Sequence, residues 1–111
     1  MKKFLVLYRA PLASFDQMMK ATPEQQKAGM DAWTAWSKKA ASSIVDMGAP
    51  LGKCMKVTPA GATATRNDLG GYSVLQAESK EALADTMKGH PHFLTPDGFI
   101  EIVEMMPMPG M

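Results

Sequence analysis

Residues 70–104 constrain the fold more than any other part of this chain. They predict a strand over 72–77, a helix over 79–88, a Gly-His-Pro-His sequence at 89–92 and a last strand that begins at Phe99. A strand–helix–strand unit with such short connections needs a second unit of the same kind to complete a sheet. We therefore expect the first half of the chain to supply a matching unit.

A long helix is predicted in the first half. Thr22 can accept a capping hydrogen bond, Pro23 suits the first helical position, and Gln25 completes a capping box. Trp33, Trp36, Ala40, Ile44 and Met47 follow at spacings of three and four and share one face of this helix. We expect the helix to extend to Met47 and to end at Gly48.

Two further strands are predicted in the first half. The apolar run Phe4–Tyr8 is typical of a strand buried on both faces, because its apolar residues do not alternate with polar ones. Residues 51–58 are predicted as the second strand, and 62–66 can return as a short hairpin arm after the turn at 59–61.

The predicted order is therefore β-α-β-β-α-β, the ferredoxin-like order of an α+β protein. It implies an antiparallel four-stranded sheet with two helices on one face. Residues 1–106 are expected to form a single domain, and residues 107–111, rich in Pro and Met, a flexible C-terminal tail.

Two helices can cover only one face of a four-stranded sheet. The residues predicted to face the helices are Leu5, Leu7, Leu75, Ile100 and Ile102. The residues predicted for the opposite face are Phe4, Val6, Tyr8, Tyr72, Val74, Phe99 and Val103. This second set is too apolar to leave in water, so we expect a homodimer whose sheets pack face to face and enclose a barrel-like cleft.

Composition excludes several classes of partner. The formal net charge is +1 and the basic residues are scattered, so nucleic acid and anionic membranes are not expected to bind. No run approaches the ~20 apolar residues that cross a bilayer, and the run that ends before Arg9 is too short for a signal peptide. The single cysteine, Cys54, suits a reducing compartment. The sequence therefore predicts a cytoplasmic protein.

The two histidines of the chain are the first candidates for catalysis. His90 and His92 flank a proline where the second helix ends, and Asp97 is the nearby carboxylate. An imidazole at the mouth of a cleft can act as a general acid or base, or can orient a substrate. The alternative is that His90 caps the C-terminus of the helix, where a partly positive side chain suits the exposed carbonyl groups.

A second group of residues is predicted to bind a ligand. Tyr8, Tyr72, Gln76 and Glu101 place polar groups on the apolar wall of the predicted cleft. Apolar burial combined with a few polar groups is what a small-molecule pocket requires. Arg9, just after the first strand, can bind a carboxylate or phosphate. The alternatives are ordinary dimer packing for the tyrosines and a surface ion pair for Arg9.

No metal site or cofactor is predicted. Two histidine ligands separated by a rigid proline do not make a structural site. The methionines at 105, 106, 108 and 111 are soft ligands of the kind copper(I) prefers, but a flexible tail lining the dimer seam explains them better. Gly70, Gly71 and Gly89 lack the spacing of a phosphate-binding loop.

The ordered combination of short motifs resembles the YCII-related proteins. The matching segments are Gly70-Gly-Tyr72, Ala77-Glu-Ser79, Glu81-Ala82, Gly89-His-Pro91, Gly98-Phe-Ile-Glu101, Phe4-Leu-Val-Leu-Tyr-Arg9 and Trp33-x-x-Trp36. The resemblance covers nearly the whole chain and implies the dimeric α+β barrel fold.

The resemblance carries less information about activity. Some members of that family are regarded as enzymes with a His–Asp dyad whose histidine lies in the first helix region, and some are similar to dehydrohalogenating lyases. This chain has no histidine before His90, and the Glu-Val-Arg-Pro strand ending common in the family is replaced by Glu101-Ile-Val-Glu104. The expectation is a homodimer that binds a small molecule in the inter-sheet cleft, either as a cofactor-free lyase or isomerase or as a non-catalytic ligand-sensing or structural dimer.

Overall fold

The structure, a computed structural model, describes residues 1–110. In chain order the elements are β1 (Lys2–Arg9), α1 (Leu12–Met18), α2 (Pro23–Lys39), β2 (Ile44–Pro50), β3 (Cys54–Thr58), β4 (Gly61–Thr65), β5 (Leu69–Ala77), α3 (Lys80–Thr86) and β6 (Phe99–Glu104). Short 3₁₀ helices cover Ala41–Ser43 and Pro91–Leu94.

Four strands form one antiparallel sheet in the order β2-β5-β1-β6. Helices α2 and α3 lie on the same face of it, where Trp36 and Ala40 meet Leu83 and Met87 over the buried residues of β1 and β5. This is the ferredoxin-like arrangement, so the predicted α+β fold class is confirmed. The short helix α1, between β1 and α2, is an addition to the two predicted helices.

The N-terminus of α2 forms as predicted, but its C-terminus does not. Thr22 and Gln25 make both hydrogen bonds of the capping box. The helix then ends at Lys39, because two serines and the β-branched pair Ile44-Val45 follow it, and these residues favour turns and strands over helix. Residues 44–50 are strand β2, paired with β5.

Gly48 has a different role from the predicted one. It lies inside β2, where the register with β5 shifts, and its φ is +72°. A Cβ at this position would lie 1.9 Å from the carbonyl oxygen of Tyr72. Only glycine allows β2 to pass this close to β5.

The predicted second strand is also corrected. Residues 51–58 do not join the main sheet, because β2 already occupies the edge beside β5. The chain instead forms a separate two-stranded hairpin from β3 and β4, with Thr58 paired to Gly61 at its tip. We refer to residues 54–65 as the hairpin arm.

The two faces of β1 are exchanged relative to the prediction. Phe4, Val6 and Tyr8 are 1%, 0% and 3% exposed and lie beneath the helices. Leu5, Leu7 and Arg9 therefore point to the opposite, open face. The prediction failed here because both sets of β1 are apolar, so the pattern could not choose between registers. For β5 and β6 it was right: Leu75, Ile100 and Ile102 are on the helix side, whereas Tyr72, Val74, Phe99 and Val103 are on the open face.

Candidate functional site

The sheet separates the predicted site residues into two groups. Tyr8, His90 and His92 lie together on the helix side, whereas Arg9, Tyr72, Gln76 and Glu101 lie on the open face. Asp97 is exposed, in the loop before β6, with a φ of +55°. Within residues 1–110 no carboxylate lies in ion-pair contact with either imidazole, so Asp97 does not pair with His90 or His92.

The backbone around Gly89 turns His90 into the protein. Gly89 follows α3 with a φ of +72°, a conformation that glycine adopts without strain. The backbone N–H of His90 donates to the carbonyl oxygen of Met87 over 3.0 Å. The Nδ1 atom of His90 accepts from the backbone N–H of His92 over 2.9 Å. His90 thus caps the 3₁₀ helix that begins at Pro91, and not the C-terminus of α3.

Aromatic rings surround the His90 imidazole. It stacks on Tyr8 with 5.1 Å between ring centroids, and its centroid lies 4.6 Å from Trp33 and 4.3 Å from Trp36. Because Nδ1 accepts a hydrogen bond, the proton of the neutral ring is assigned to Nε2. That atom is buried and has no conventional acceptor among residues 1–110. The nearby indoles offer π faces, which accept weakly from N–H groups.

This environment keeps His90 uncharged. Burial, together with the neighbouring His92, lowers the pKa of His90 to about 4. At neutral pH the side chain is therefore a neutral ring that donates from Nε2. His90 is 1% exposed and packs as a core residue. Its protonation is therefore coupled to unfolding of the protein.

His92 connects the 3₁₀ helix at Pro91–Leu94 to the end of β1 by a hydrogen bond. Its Nε2 donates to the carbonyl oxygen of Arg9 over 2.8 Å, and the residue is 6% exposed. Gly98 leaves room for this arrangement, since a Cβ there would lie 2.9 Å from the His92 carbonyl oxygen and 3.2 Å from Nε2. The contact positions the loop before β6 against the strand that carries Arg9.

Tyr8 belongs to a buried hydrogen-bond chain. Its hydroxyl donates to the Ser73 Oγ over 3.0 Å, and Ser73 donates to the carbonyl oxygen of Met47 over 2.8 Å. Burial raises the pKa of Tyr8, and the hydrogen bond with Ser73 offsets part of that change. Tyr8 therefore links β1 through β5 to the bulged part of β2, and its predicted position on the cleft face is wrong.

A charged cluster occupies one end of the open face. The Arg9 guanidinium pairs with Glu101 through Nε and with Asp68 through Nη1. Its side chain is 26% exposed, so the cation is partly shielded but still reachable from solvent. Leu7 lies between Tyr72 and Glu101 on its neighbouring strands, and Phe99 lies beside Arg9. Arg9 and Glu101 thus come together beside apolar and aromatic side chains.

Gln76 lies at the other end of the open face. Its amide nitrogen donates to the carbonyl oxygen of Ser42 over 3.2 Å, which ties β5 to the 3₁₀ turn before β2. This bond leaves the side-chain oxygen as the atom that can accept from a ligand. Gln76 therefore stands apart from the Arg9–Glu101 cluster.

A groove of about 500 Å³ runs on the helix side between α2 and residues 88–94. Its lining is mainly apolar and includes Trp36 and Phe93, with Lys39 and Lys88 as its charged members. His90 also contributes to the lining, but its Nε2 is buried. The groove therefore does not bring a solvent-accessible imidazole to a ligand.

No metal-binding cluster forms in the part of the chain that the structure describes. Across residues 1–110, His, Cys, Asp and Glu side chains do not come together in groups of three or more suited to a metal ion. No helix in that range has both the length and the apolarity needed to cross a membrane. Of the methionines predicted for the tail, Met111 lies outside the described residues.

Comparison with known proteins identifies a structural relative. No family model and no curated protein matches the chain. A solved structure that does match is the 5-chloro-2-hydroxyhydroquinone dehydrochlorinase of Burkholderia phenoliruptrix AC1100 in complex with 2,5-dihydroxybenzoquinone. It is 15% identical, the match covers 89% of this chain and 90% of that one, and the TM-score is 0.50. At this identity the similarity shows the fold alone, and it agrees with the ferredoxin-like arrangement of the sheet.

Sequence reasoning missed four partners of the predicted residues. Trp33 and Trp36 were placed correctly on one helix face, but their contact with His90 joins distant parts of the chain and leaves no local pattern. Ser73 does carry a local signal, because a small polar residue inside an apolar strand needs a buried hydrogen-bond partner. Nothing in the sequence around Asp68 distinguishes it from an ordinary loop carboxylate.

Proposed function

We propose that this chain is a YCII-like homodimer that binds a small organic molecule between the open faces of two sheets. The observation that carries the proposal is the Arg9–Glu101 pair, partly exposed at one end of an open face that is mainly apolar around it. The short motifs named above support the YCII-like assignment. The dehydrochlorinase with the same fold, solved with a bound dihydroxybenzoquinone, is compatible with a small-molecule role.

The open face supports association with a second copy. Its apolar members are Leu5, Leu7, Tyr72, Val74, Phe99 and Val103. Phe99 and Val103 are 45% and 46% exposed in one chain. Soluble monomers rarely expose contiguous apolar surfaces of this kind, and a two-fold pairing of the same face would bury them on both copies.

The charged cluster favours a cleft over a sealed interface. The desolvation free energy of a fully buried ion pair exceeds the attraction between its charges unless every remaining donor and acceptor is hydrogen-bonded. Nε and Nη1 of Arg9 face Glu101 and Asp68, so the Nη2 group remains to donate to an anionic ligand oxygen while Phe99 and Tyr72 supply flat apolar walls. The ligand class that fits is a small aromatic or apolar acid, bound through a carboxylate or an ionised hydroxyl.

The geometry favours binding without catalysis over a cofactor-free lyase or isomerase. Both imidazoles lie on the far side of the sheet from the proposed cleft, and His90 is neutral and enclosed. Glu101 is the group on the open face that could accept a proton from carbon, and it keeps the lyase or isomerase as a second candidate. Proton abstraction by Glu101 would leave Arg9 to stabilise the enolate or phenolate oxygen.

Calorimetric titration with benzoate and 2,5-dihydroxybenzoquinone tests the binding proposal. We expect at least one probe to bind, and Arg9→Gln to weaken binding at least ~10-fold through loss of a charge-assisted hydrogen bond. Arg66→Gln is the matched control, because Arg66 pairs with the exposed Asp16 and has no place on the open face. Equal affinities for wild type and Arg9→Gln, or no binding of either probe, would contradict the proposal.

The second candidate has a separate test. If the protein is a lyase or isomerase, hydrogen–deuterium exchange at the acidic carbon of a bound carbon acid should be faster with wild type than with Glu101→Gln. Equal exchange rates with the two proteins would rule out Glu101 as the base and would not affect the binding proposal.

A further inference from the structure

The hairpin arm has two chemically different faces. The paired residues are Met55 with Ala64 and Val57 with Ala62, and these four side chains share one side. The other side carries Cys54 with Thr65 and Lys56 with Thr63. The arm is therefore amphipathic, and within residues 1–110 its apolar side is left largely uncovered.

The apolar side of the arm lies in solvent. Met55 is 65% exposed and Val57 is 74% exposed. In the described chain β3 and β4 form a sheet with each other alone, apart from the four-stranded sheet. A lone two-stranded hairpin is at best marginally stable in water, and its backbone order costs conformational entropy. Contact of this apolar side with a partner would stabilise the arm.

The molecule is more extended than a compact domain of its length, as a projecting arm would make it. The radius of gyration is 15.7 Å, against about 13 Å for a compact domain of 100 residues. The molecule measures 45 × 44 × 19 Å, so it is a thin slab with lateral extensions. Five-residue strands such as β3 and β4 reach roughly 17 Å from their base.

The base of the arm adjoins the charged end of the open face. On the entry side, the Leu51 N–H donates to the Gly70 carbonyl oxygen of β5 over 3.0 Å. On the exit side, Asp68 forms the ion pair with Arg9. The described part of the chain therefore leaves two apolar surfaces uncovered, the apolar side of the arm and the open face. They adjoin each other at the residues that we assign to the ligand cleft.

We propose that each arm packs its apolar side against the open face of a second copy of this chain and closes one end of the inter-sheet cleft. The inference rests on the proposed homodimer and adds the way in which it is held together. A second copy is the occupant that covers both surfaces at once, because a two-fold axis supplies one arm and one open face to each partner. The cleft of each dimer is then completed by Met55 and Val57 of the partner.

The test compares two double variants of the arm by sedimentation velocity across protein concentrations. Met55→Lys with Val57→Lys places two charges on the apolar side, and we expect the dimer dissociation constant to rise at least ~100-fold. Thr63→Lys with Thr65→Lys places the same charges on the polar side of the same hairpin, and should change the constant by less than ~3-fold. Equal constants for the two variants would overturn the proposal.

Phe99→Lys separates failure of this inference from failure of the dimer. If it dissociates the dimer and the Met55/Val57 variant does not, the sheets pair and the arm has no part in the pairing. If wild type sediments as a monomer throughout the micromolar range, both the dimer and the arm contact are excluded.

Hydrogen exchange in wild type provides a test that does not depend on a variant folding. Docking on a second copy predicts that amide protection in residues 54–65 rises with protein concentration in step with the dimer fraction. Protection that stays high while the dimer fraction falls on dilution would show that the arm folds back on its own chain, and absence of protection would show a free arm. Either result overturns the proposal.

Discussion

The ring of His90 lies nearly parallel to that of Tyr8, with 29° between the planes. These two residues come from opposite ends of the chain, and their contact joins the first strand to the segment after α3. The stack is completed by the indoles of α2, so every main layer of the domain meets at one imidazole. The stability of the domain should therefore be sensitive to substitution of either Tyr8 or His90.

Acid should destabilise the fold through His90. The pKa of His90 is about 4 in the native state and 6.5 in the unfolded chain, so the unfolded state binds the extra proton between these values. Stability is therefore fully present above pH 6.5 and is lost as pH falls towards 4, by on the order of 3 kcal/mol. Urea denaturation at several pH values measures this slope.

His90→Phe is the control for the acid effect. It keeps a flat ring in the stack but removes the titrating group, so its stability should vary less with pH over this window even though its absolute stability is lower. An unchanged slope in His90→Phe would assign the acid sensitivity to other groups.

Removal of the buried Tyr8 hydroxyl should have a moderate cost. Tyr8→Phe keeps the ring contacts but removes the donor to Ser73, and we expect a loss of about 1 kcal/mol in the free energy of unfolding. Tyr72→Phe, at a partly exposed position on the open face, should cost less than ~0.5 kcal/mol. Chemical denaturation compares the two, and equal losses would argue against the buried hydrogen-bond chain.

Two glycine substitutions should act in opposite directions. Gly48→Ala places a Cβ against the Tyr72 carbonyl at a positive φ, and we expect a loss of more than ~2 kcal/mol. Gly29→Ala lies in α2 with open space around its Cβ and should stabilise by roughly 0.5–1 kcal/mol. Melting temperatures of both variants test this; a tolerated Gly48→Ala would contradict the close passage of β2 and β5.

The Arg9 cluster should matter more for binding than for folding. Because the Arg9 and Glu101 side chains are 26% and 48% exposed, solvent screens their attraction. We expect Glu101→Gln to change the free energy of unfolding by less than ~1 kcal/mol. A loss above ~3 kcal/mol by urea denaturation would indicate a structural ion pair and weaken the argument for a ligand at Arg9.

Local signals in the sequence account for most of the fold but for little of the site. The capping box at Thr22, the start of the second predicted helix near residue 79 and the hairpin turn depend on neighbours in the chain, and each was predicted correctly. The face of β1 was not, since Leu5 and Leu7 are as apolar as Phe4 and Val6. Tyr8, His90 and Arg9 acquire their environments largely from residues about 50 to 90 positions away, and one sequence carries no record of such contacts.

The central position of β1 has a consequence for the order of folding. It pairs on one side with β5 and on the other with β6, both far along the chain, whereas the nearer β2 joins only β5. During vectorial synthesis the apolar strand at 4–8 therefore stays unpaired until some 60 to 90 further residues have emerged. At about 5–20 residues per second this takes several seconds. Nascent chains stalled before β5 should bind chaperones through this strand, and release should come only once its late neighbours have left the ribosome.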